Sequence, residues 1–243
     1  MRLPRIYFNK PLNLNVPTIL GADESGHLLR VLRFNINDQL KIFDGKGHEH
    51  LAKIVGIHKK QAVIIALAPL ESLPESPLWV HLGQSVSRGD KMDYSLQKSV
   101  ELGVQKITPL LTERAGVKLF GDRIEKKIAH WEKVIISACE QCGRSYLPTL
   151  MPLQSLSEWL IGCDEQMRLV LAPTAEGRLN NINFNDERIA LLIGPESGLS
   201  DQEIYLAQQS SFFPIQLGPR ILRTETAGPT AIAALQCLWG DLR

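Results

Sequence analysis

Two stretches in the C-terminal part of the chain constrain the fold more than anything else in it: Ile189–Ile204 (IALLIGPESGLSDQEI) and Ile215–Leu238 (IQLGPRILRTETAGPTAIAALQCL). Each opens with a short apolar run of the kind that forms a buried strand, breaks at a Gly/Pro bend, and runs on into a helical pattern. Gly194 and Gly198 let the backbone turn sharply and let a ligand come close to it. Ser200 reads as a helix N-cap with Glu203 at the capping-box position. In the second stretch Gly218 and Pro219 form the bend, and Arg220 and Arg223 place cations in it. Two strand–loop–helix units this close in sequence can set their loops side by side at one end of a parallel sheet, where open α/β sheets bind ligands. Neither loop carries the GxxxxGKS/T pattern of a triphosphate cradle or the GxGxxG of a dinucleotide site, so neither of those ligand classes is expected.

The chain has 243 residues, 44% hydrophobic and 22% charged, enough for one large domain or two modest ones of the soluble globular kind. No apolar run reaches the length of a membrane span, MRLPRIYFNK has no apolar signal core, and the four Cys follow no disulfide spacing. These features lead us to expect a cytoplasmic protein without a membrane partner. The net charge of +1 hides an asymmetry. Residues 1–72 carry 10 Lys+Arg against 6 Asp+Glu, a net of +4, while the remainder carries 17 against 20, a net of −3. A small basic module ahead of a mildly acidic one suggests that the N-terminal part meets a polyanion.

Read in order, Arg5–Phe8 is a first strand, and Pro11 and Pro17 punctuate an irregular stretch. Glu24–Arg33 has the spacing of a short helix, with Leu28, Leu29 and Leu32 facing inward and Arg30 and Arg33 sharing an outer face suited to phosphate. Gln39–Asp44 and Glu49–Ile57 flank a Gly-rich hairpin turn, and Lys59–Leu67 is a third strand; several short strands in this length suggest a small barrel. Leu70–Pro77 (LESLPESP) is the linker, so the expected domains are 1–72 and 73–243. Beyond it, strand and helix alternate, which argues a mostly parallel sheet: Leu78–Gln84, a helix ending at Gly103, Lys106–Leu111, a long helix Asp122–Cys142, a short helix Leu153–Ile161, and a strand Arg168–Leu171. In the long helix Ile124, Ile128, Trp131, Ile135 and Cys139 form one buried stripe. Cys139 and Cys142 make a lone CxxC with no second pair, so core cysteines are expected and no metal site.

LLIGPESGLS followed by LGPRILRTETA, together with SRGDKMDYSLQKSVELGV, CEQCGR and the N-terminal RIYF, resembles the RsmE family of the SPOUT methyltransferases, and the resemblance covers the whole chain. It implies an α/β C-terminal domain with a deep trefoil knot and mostly parallel sheet, plus an N-terminal PUA-like RNA-binding β-barrel. It also implies S-adenosylmethionine-dependent methylation of N3 of a uridine in the 16S rRNA of the small ribosomal subunit, by a homodimer whose final helix packs at the interface. The family's cofactor loops map onto Leu171 and Pro173, onto Gly194, Pro195, Glu196 and Gly198, and onto Leu217, Gly218, Ile221, Leu222, Arg223 and Thr226. RNA contacts are expected at Arg5, Arg30, Arg33, Arg88, Lys91, Arg114 and Arg144, with Glu140 and Gln141 beside the last on the RNA-facing side.

Uridine N3 must lose its proton as the methyl arrives. A nearby carboxylate can take that proton, and a cation can stabilise charge developing on the ring oxygens. Arg223 is the candidate cation and Glu225 or Glu196 its acidic partner, with a helix-start role for Glu225 equally open. Two departures from the family pattern fall on these loops. Ser197 stands where GPEGG has its second glycine, which would be strained if the position needs positive φ. Gly228-Pro229 follows TETA, with Pro229 tolerable only in the first helical turn. Two alternatives stay open: a ribose 2′-O-methyltransferase of the same superfamily, and a non-catalytic rRNA-binding assembly protein.

Overall fold

A computed structural model describes residues 3–117, 120–184 and 186–242. The described chain forms two compact units. One combines the chain up to Glu75 with Ile136–Leu147; the other combines Ser76–Ile135 with the chain from Pro148 onward.

In the first unit β1 (Arg5–Tyr7), β2 (Pro17–Ile19), β3 (Gln39–Phe43), β4 (Glu49–His58) and β5 (Gln61–Leu70) form one sheet in the order β1-β3-β4-β5-β2. Alternation drives it: Ala62, Ile64 and Ala66 of β5 are buried at every second residue, and the first two pack in one core with Ile42 and Ile54. Lys59 and Lys60 turn β4 into β5 with φ of 47° and 69°. The strand at β2 was not foreseen. Pro17 opens it at the sheet edge, where a missing N–H costs no ladder bond.

The segment expected as a helix over Glu24–Arg33 is α1 (Ala22–Gly26) running into a π-helical turn, His27–Val31. The Leu32 amide donates to the His27 carbonyl five residues back (2.9 Å), which widens the turn. Side chains four apart then no longer superpose. Leu28 is fully buried and Leu29 half-buried, but Leu32 turns outward at 37% exposure. Arg33 has left the helix at φ 57°, so Arg30 and Arg33 are both exposed but do not share a helix face.

The second unit is built on β6 (Trp79–Ser85), β7 (Lys106–Leu111), β8 (Thr149–Leu150), β9 (Gln154–Ser155), β10 (Met167–Leu171), β11 (Arg188–Ile193) and β12 (Phe213–Ile215). Every pairing in this sheet is parallel, in the order β12-β10-β11-β6-β7-β8 with β9 also on β7. Its helices are α2 (Asp90–Glu101), α4 (Leu156–Gly162), α5 (Asp201–Gln209) and α6 (Thr224–Trp239). The long helix α3 (Asp122–Cys142) belongs to this unit as far as Ile135 and to the other from Ile136. Trp131, Ile135 and Cys139 are buried along it, and Ile124 and Ile128 half-buried. The central strands β6 and β11 are buried on both faces, as in a covered parallel sheet. Gly83 matters for that cover: a Cβ there would lie 2.5 Å from the Trp159 ring, which packs flat on β6. No described helix is long and apolar enough to cross a membrane.

Candidate active site

β12, β10 and β11 are neighbours in the sheet, and the chain leaves all three at the same end. Their exit loops close round a single cavity of about 290 Å³, near the lower end of small-molecule sites. Leu171 and Pro173 reach it from β10, Gly194 to Gly198 from β11, and Leu217, Ile221 and Leu222 from β12. Of the twelve residues expected to hold a cofactor, Gly218, Arg223 and Thr226 are not in the lining. Arg223 is instead the N-cap of α6, and its carbonyl accepts from the Thr226 and Ala227 amides.

Local chemistry explains the shape of the middle loop. Gly198 bears the positive φ, 73°, and Ser197 does not, so the expected strain at Ser197 is absent. Ser197 Oγ donates to the Arg114 carbonyl (3.0 Å). Ser200 and Glu203 form the capping box that starts α5, and the second Glu203 oxygen accepts from the Glu113 amide (2.8 Å). The β7 exit is therefore pinned to the β11 exit at two points.

Glu196 faces the cavity but is already engaged. Its Oε1 accepts from the Arg88 amide (3.1 Å) and lies 3.5 Å from Lys91 Nζ. Partial burial works against its charge; backbone amides and the Lys91 ammonium outweigh that and hold the carboxyl below its ordinary value. A carboxylate so stabilised accepts a proton less readily than a free one. Glu225 differs: one of its carboxylate oxygens is buried without a hydrogen-bond partner. Arg88, Lys91 and Arg114 thus stand beside the pocket loop, Arg88 through its amide and Arg114 through its carbonyl, with Arg88 Nε donating to the Gly116 carbonyl (2.7 Å).

Arg5 and Arg144, expected to meet RNA, are engaged within the first unit. Arg5 is 6% exposed, is paired with Glu49, lies 4.4 Å from the Phe43 ring centroid, and donates to the carbonyls of Cys139 and Arg144. Arg144 is clamped on Glu75. Both guanidiniums serve the first unit's interior, because a buried cation needs its donors matched. Glu140 likewise accepts from the Tyr7 amide (3.0 Å).

Sequence reasoning missed two groups. One is Gln84 and Thr224, whose hydrogen bonds tie the cavity loops together. The other is the cluster of potential metal-ligating groups found among the described residues: buried His81, Cys163 and Glu165. Trp159 Nε1–H donates to His81 Nε2 (3.1 Å), so that nitrogen carries a lone pair, and Nδ1–H donates to Glu165 (2.8 Å). Both ring nitrogens are spent within the protein. The cluster lies toward the strand entry ends, away from the cavity.

An RNA methyltransferase domain family matches residues 74–236, and an RNA methyltransferase PUA domain family matches 20–67. The ribosomal RNA small subunit methyltransferase E of Buchnera aphidicola (subspecies Schizaphis graminum) is 40% identical over 242 residues, covering 99% of this chain and 98% of its own. The chain belongs to the ribosomal RNA small subunit methyltransferase E family. The methyltransferase E of Bacillus subtilis is 27% identical across 89% of the chain and 88% of its own length. Among solved structures, methyltransferase E of Neisseria gonorrhoeae bound to S-adenosyl methionine superposes with a TM-score of 0.92 at 39% identity over both full chains. A Legionella pneumophila methyltransferase in complex with the same cofactor gives 0.97 at 40%, again over both full chains. The expected SPOUT-type α/β domain and N-terminal PUA-like domain hold for this chain.

Proposed function

We propose that this chain transfers the methyl group of S-adenosylmethionine to N3 of a uridine in the 16S rRNA of the small ribosomal subunit. One observation carries the reading: exit loops of three adjacent parallel strands form one cavity, and the loop in its middle is ringed by Arg88, Lys91 and Arg114. The cavity suits the cofactor. Apolar Leu171, Ile193 and Leu222 can cover an adenine face, and loop amides and carbonyls offer edge contacts without an ionisable side chain. S-adenosylmethionine, when bound, supplies an electrophilic methyl on sulfur.

The chain's own residues then have three tasks. The loops hold the donor so that acceptor and methyl meet in line. Arg88, Lys91 and Arg114 take the phosphates next to the target nucleotide, which leaves its stacked position to enter. Glu225 receives the N3 proton and Arg223 stabilises charge on the ring oxygens as the N–C bond forms and the S–C bond breaks, both from the start of α6, whose Thr224 and Ala227 line the cavity. Residues 1–72 act as the RNA-binding barrel and 73–243 as the knotted catalytic domain. The protein works in the cytoplasm as a homodimer that packs through α6. Ser197, one of the two sequence departures that favoured a non-catalytic protein, is accommodated without backbone strain, and this supports an active enzyme.

The test uses ribosomal RNA from cells lacking the native activity, treated with this protein and labelled cofactor. One methylated uridine, with the label on the base at N3, is expected. Label on a ribose would overturn the N3 assignment, and no label would overturn the enzyme.

A further inference from the structure

We infer that Gln84 is a positioning residue of the methyl-donor pocket and that Gly228 is the space it requires. The inference rests on the reading that the cavity holds S-adenosylmethionine. Gln84 is wholly buried near the end of β6 and does not itself line the cavity. Its Nε2 donates to Thr224 Oγ1 (3.1 Å) and to the Ser85 carbonyl (3.1 Å). The Ser85 carbonyl fixes the orientation of the amide, since a flipped Gln84 would set oxygen against oxygen there. An amide N–H can only donate, so the Thr224 oxygen accepts from it and turns its one proton elsewhere. That proton goes to the Gly194 carbonyl, 2.7 Å away.

The result is a relay with a fixed direction, Gln84 to Thr224 to Gly194. Thr224 and Gly194 both line the cavity, one from the start of α6 and the other from the β11 exit. Gln84 pairs with Ile193 across the β6–β11 ladder, so the amide that sets the relay sits on a rigid central strand. The other end of the side chain explains a residue that is otherwise costly. Gln84 Oε1 has no hydrogen-bond partner, and a Cβ at Gly228 would stand 3.3 Å from it. Glycine inside a helix is unfavourable by about 1 kcal/mol against alanine. Helix α6 accepts that cost where the Gln84 amide needs room.

Gln84→Met keeps the length and removes the donor; Gln84→Glu makes the donor depend on protonation. With cofactor affinity read by calorimetry and turnover at saturating cofactor, Gln84→Met weakens affinity about tenfold, the scale of one lost hydrogen bond, and changes kcat less than twofold. In Gln84→Glu an ionised carboxylate draws the Thr224 proton away from Gly194, so affinity improves as pH falls, while the wild type stays flat over the same range. Gly228→Ala weakens affinity at least threefold, and this effect vanishes in a Gln84→Ala background. That cycle decides the matter even if Gln84→Met fails to fold. No cofactor binding by the wild type would overturn the functional reading and this inference with it. Wild-type affinity in Gln84→Met, or in Gly228→Ala, with the wild type binding normally, would overturn this inference alone.

Discussion

His81 carries its proton in a direction set by its neighbours. The Trp159 indole occupies Nε2, and burial disfavours the charged ring, so the His81 pKa falls below its ordinary 6.5 despite the Glu165 hydrogen bond. The sign follows. The unfolded chain takes up a proton near pH 6.5 that the folded chain refuses, so stability is complete above that pH and is lost as pH falls below it. Glu165, held low by the His81 N–H against its own burial, adds a loss in the same direction at more acid pH. Between pH 7.5 and 5.5 the wild type should lose about 1 kcal/mol more than a His81→Gln variant, read from urea unfolding midpoints. Equal losses would show that the ring takes a proton in the fold. None of this was legible in the sequence, where His81 is one polar residue in a strand pattern and Glu165 lies 84 positions away. Ser197 was legible as a departure, but its consequence was not: the positive φ sits one residue on, at Gly198.

At the scale of elements, the sheet and its loops could be read where a strand of the second unit is a short apolar run closed by Gly, Pro or a polar turn; β8 and β9, two residues each, have no such run, and β9 falls inside the stretch expected as helix. Arg188–Ile193 and Lys106–Leu111 are of this kind, and Ser200–Glu203 announces its own helix. The π-turn at His27–Val31 was not readable, because the same leucine spacing fits an α-helix. Helix α6 is the sharper case. Pro229 was expected to be tolerated only in the first turn, yet it is the sixth residue of α6, and the helix continues to Trp239. There it leaves the Glu225 carbonyl without its usual helical donor. Gly228, lacking a Cβ, eases the crowding that proline imposes on the residue before it. Pro229→Ala should therefore raise the stability of the protein by about 1 kcal/mol or more, seen as a higher urea midpoint at unchanged slope. A lower midpoint would mean that the proline's fixed φ is worth more than the missing bond.

At the scale of the whole molecule, the chain does not divide where its composition changes. The Pro- and Ser-containing stretch at 70–77 and the charge asymmetry are visible in the sequence, but the return of Ile136–Leu147 to the first unit is not. Contacts 96 to 140 positions apart leave no local pattern. They show instead in what the returning segment supplies. Ser145 Oγ donates to Glu49 (2.9 Å) and accepts from Arg5 (3.0 Å), and the Cys139 and Arg144 carbonyls take further Arg5 donors. Burial alone would raise the Glu49 carboxyl; its Arg5 and Ser145 partners hold it below its ordinary value instead. A fragment ending at residue 75 would keep Arg5 and Glu49 but lose the groups that complete their hydrogen bonds. Each hydrogen bond lost from a charged group costs about 1–3 kcal/mol, and several together are a large share of what a domain of that size can hold in reserve. Residues 1–75 expressed alone should therefore show unfolded circular dichroism and poor amide dispersion. The same fragment joined through a flexible linker to 136–147 should recover a cooperative transition. A folded 1–75 fragment would mean that its five-stranded core suffices without the network.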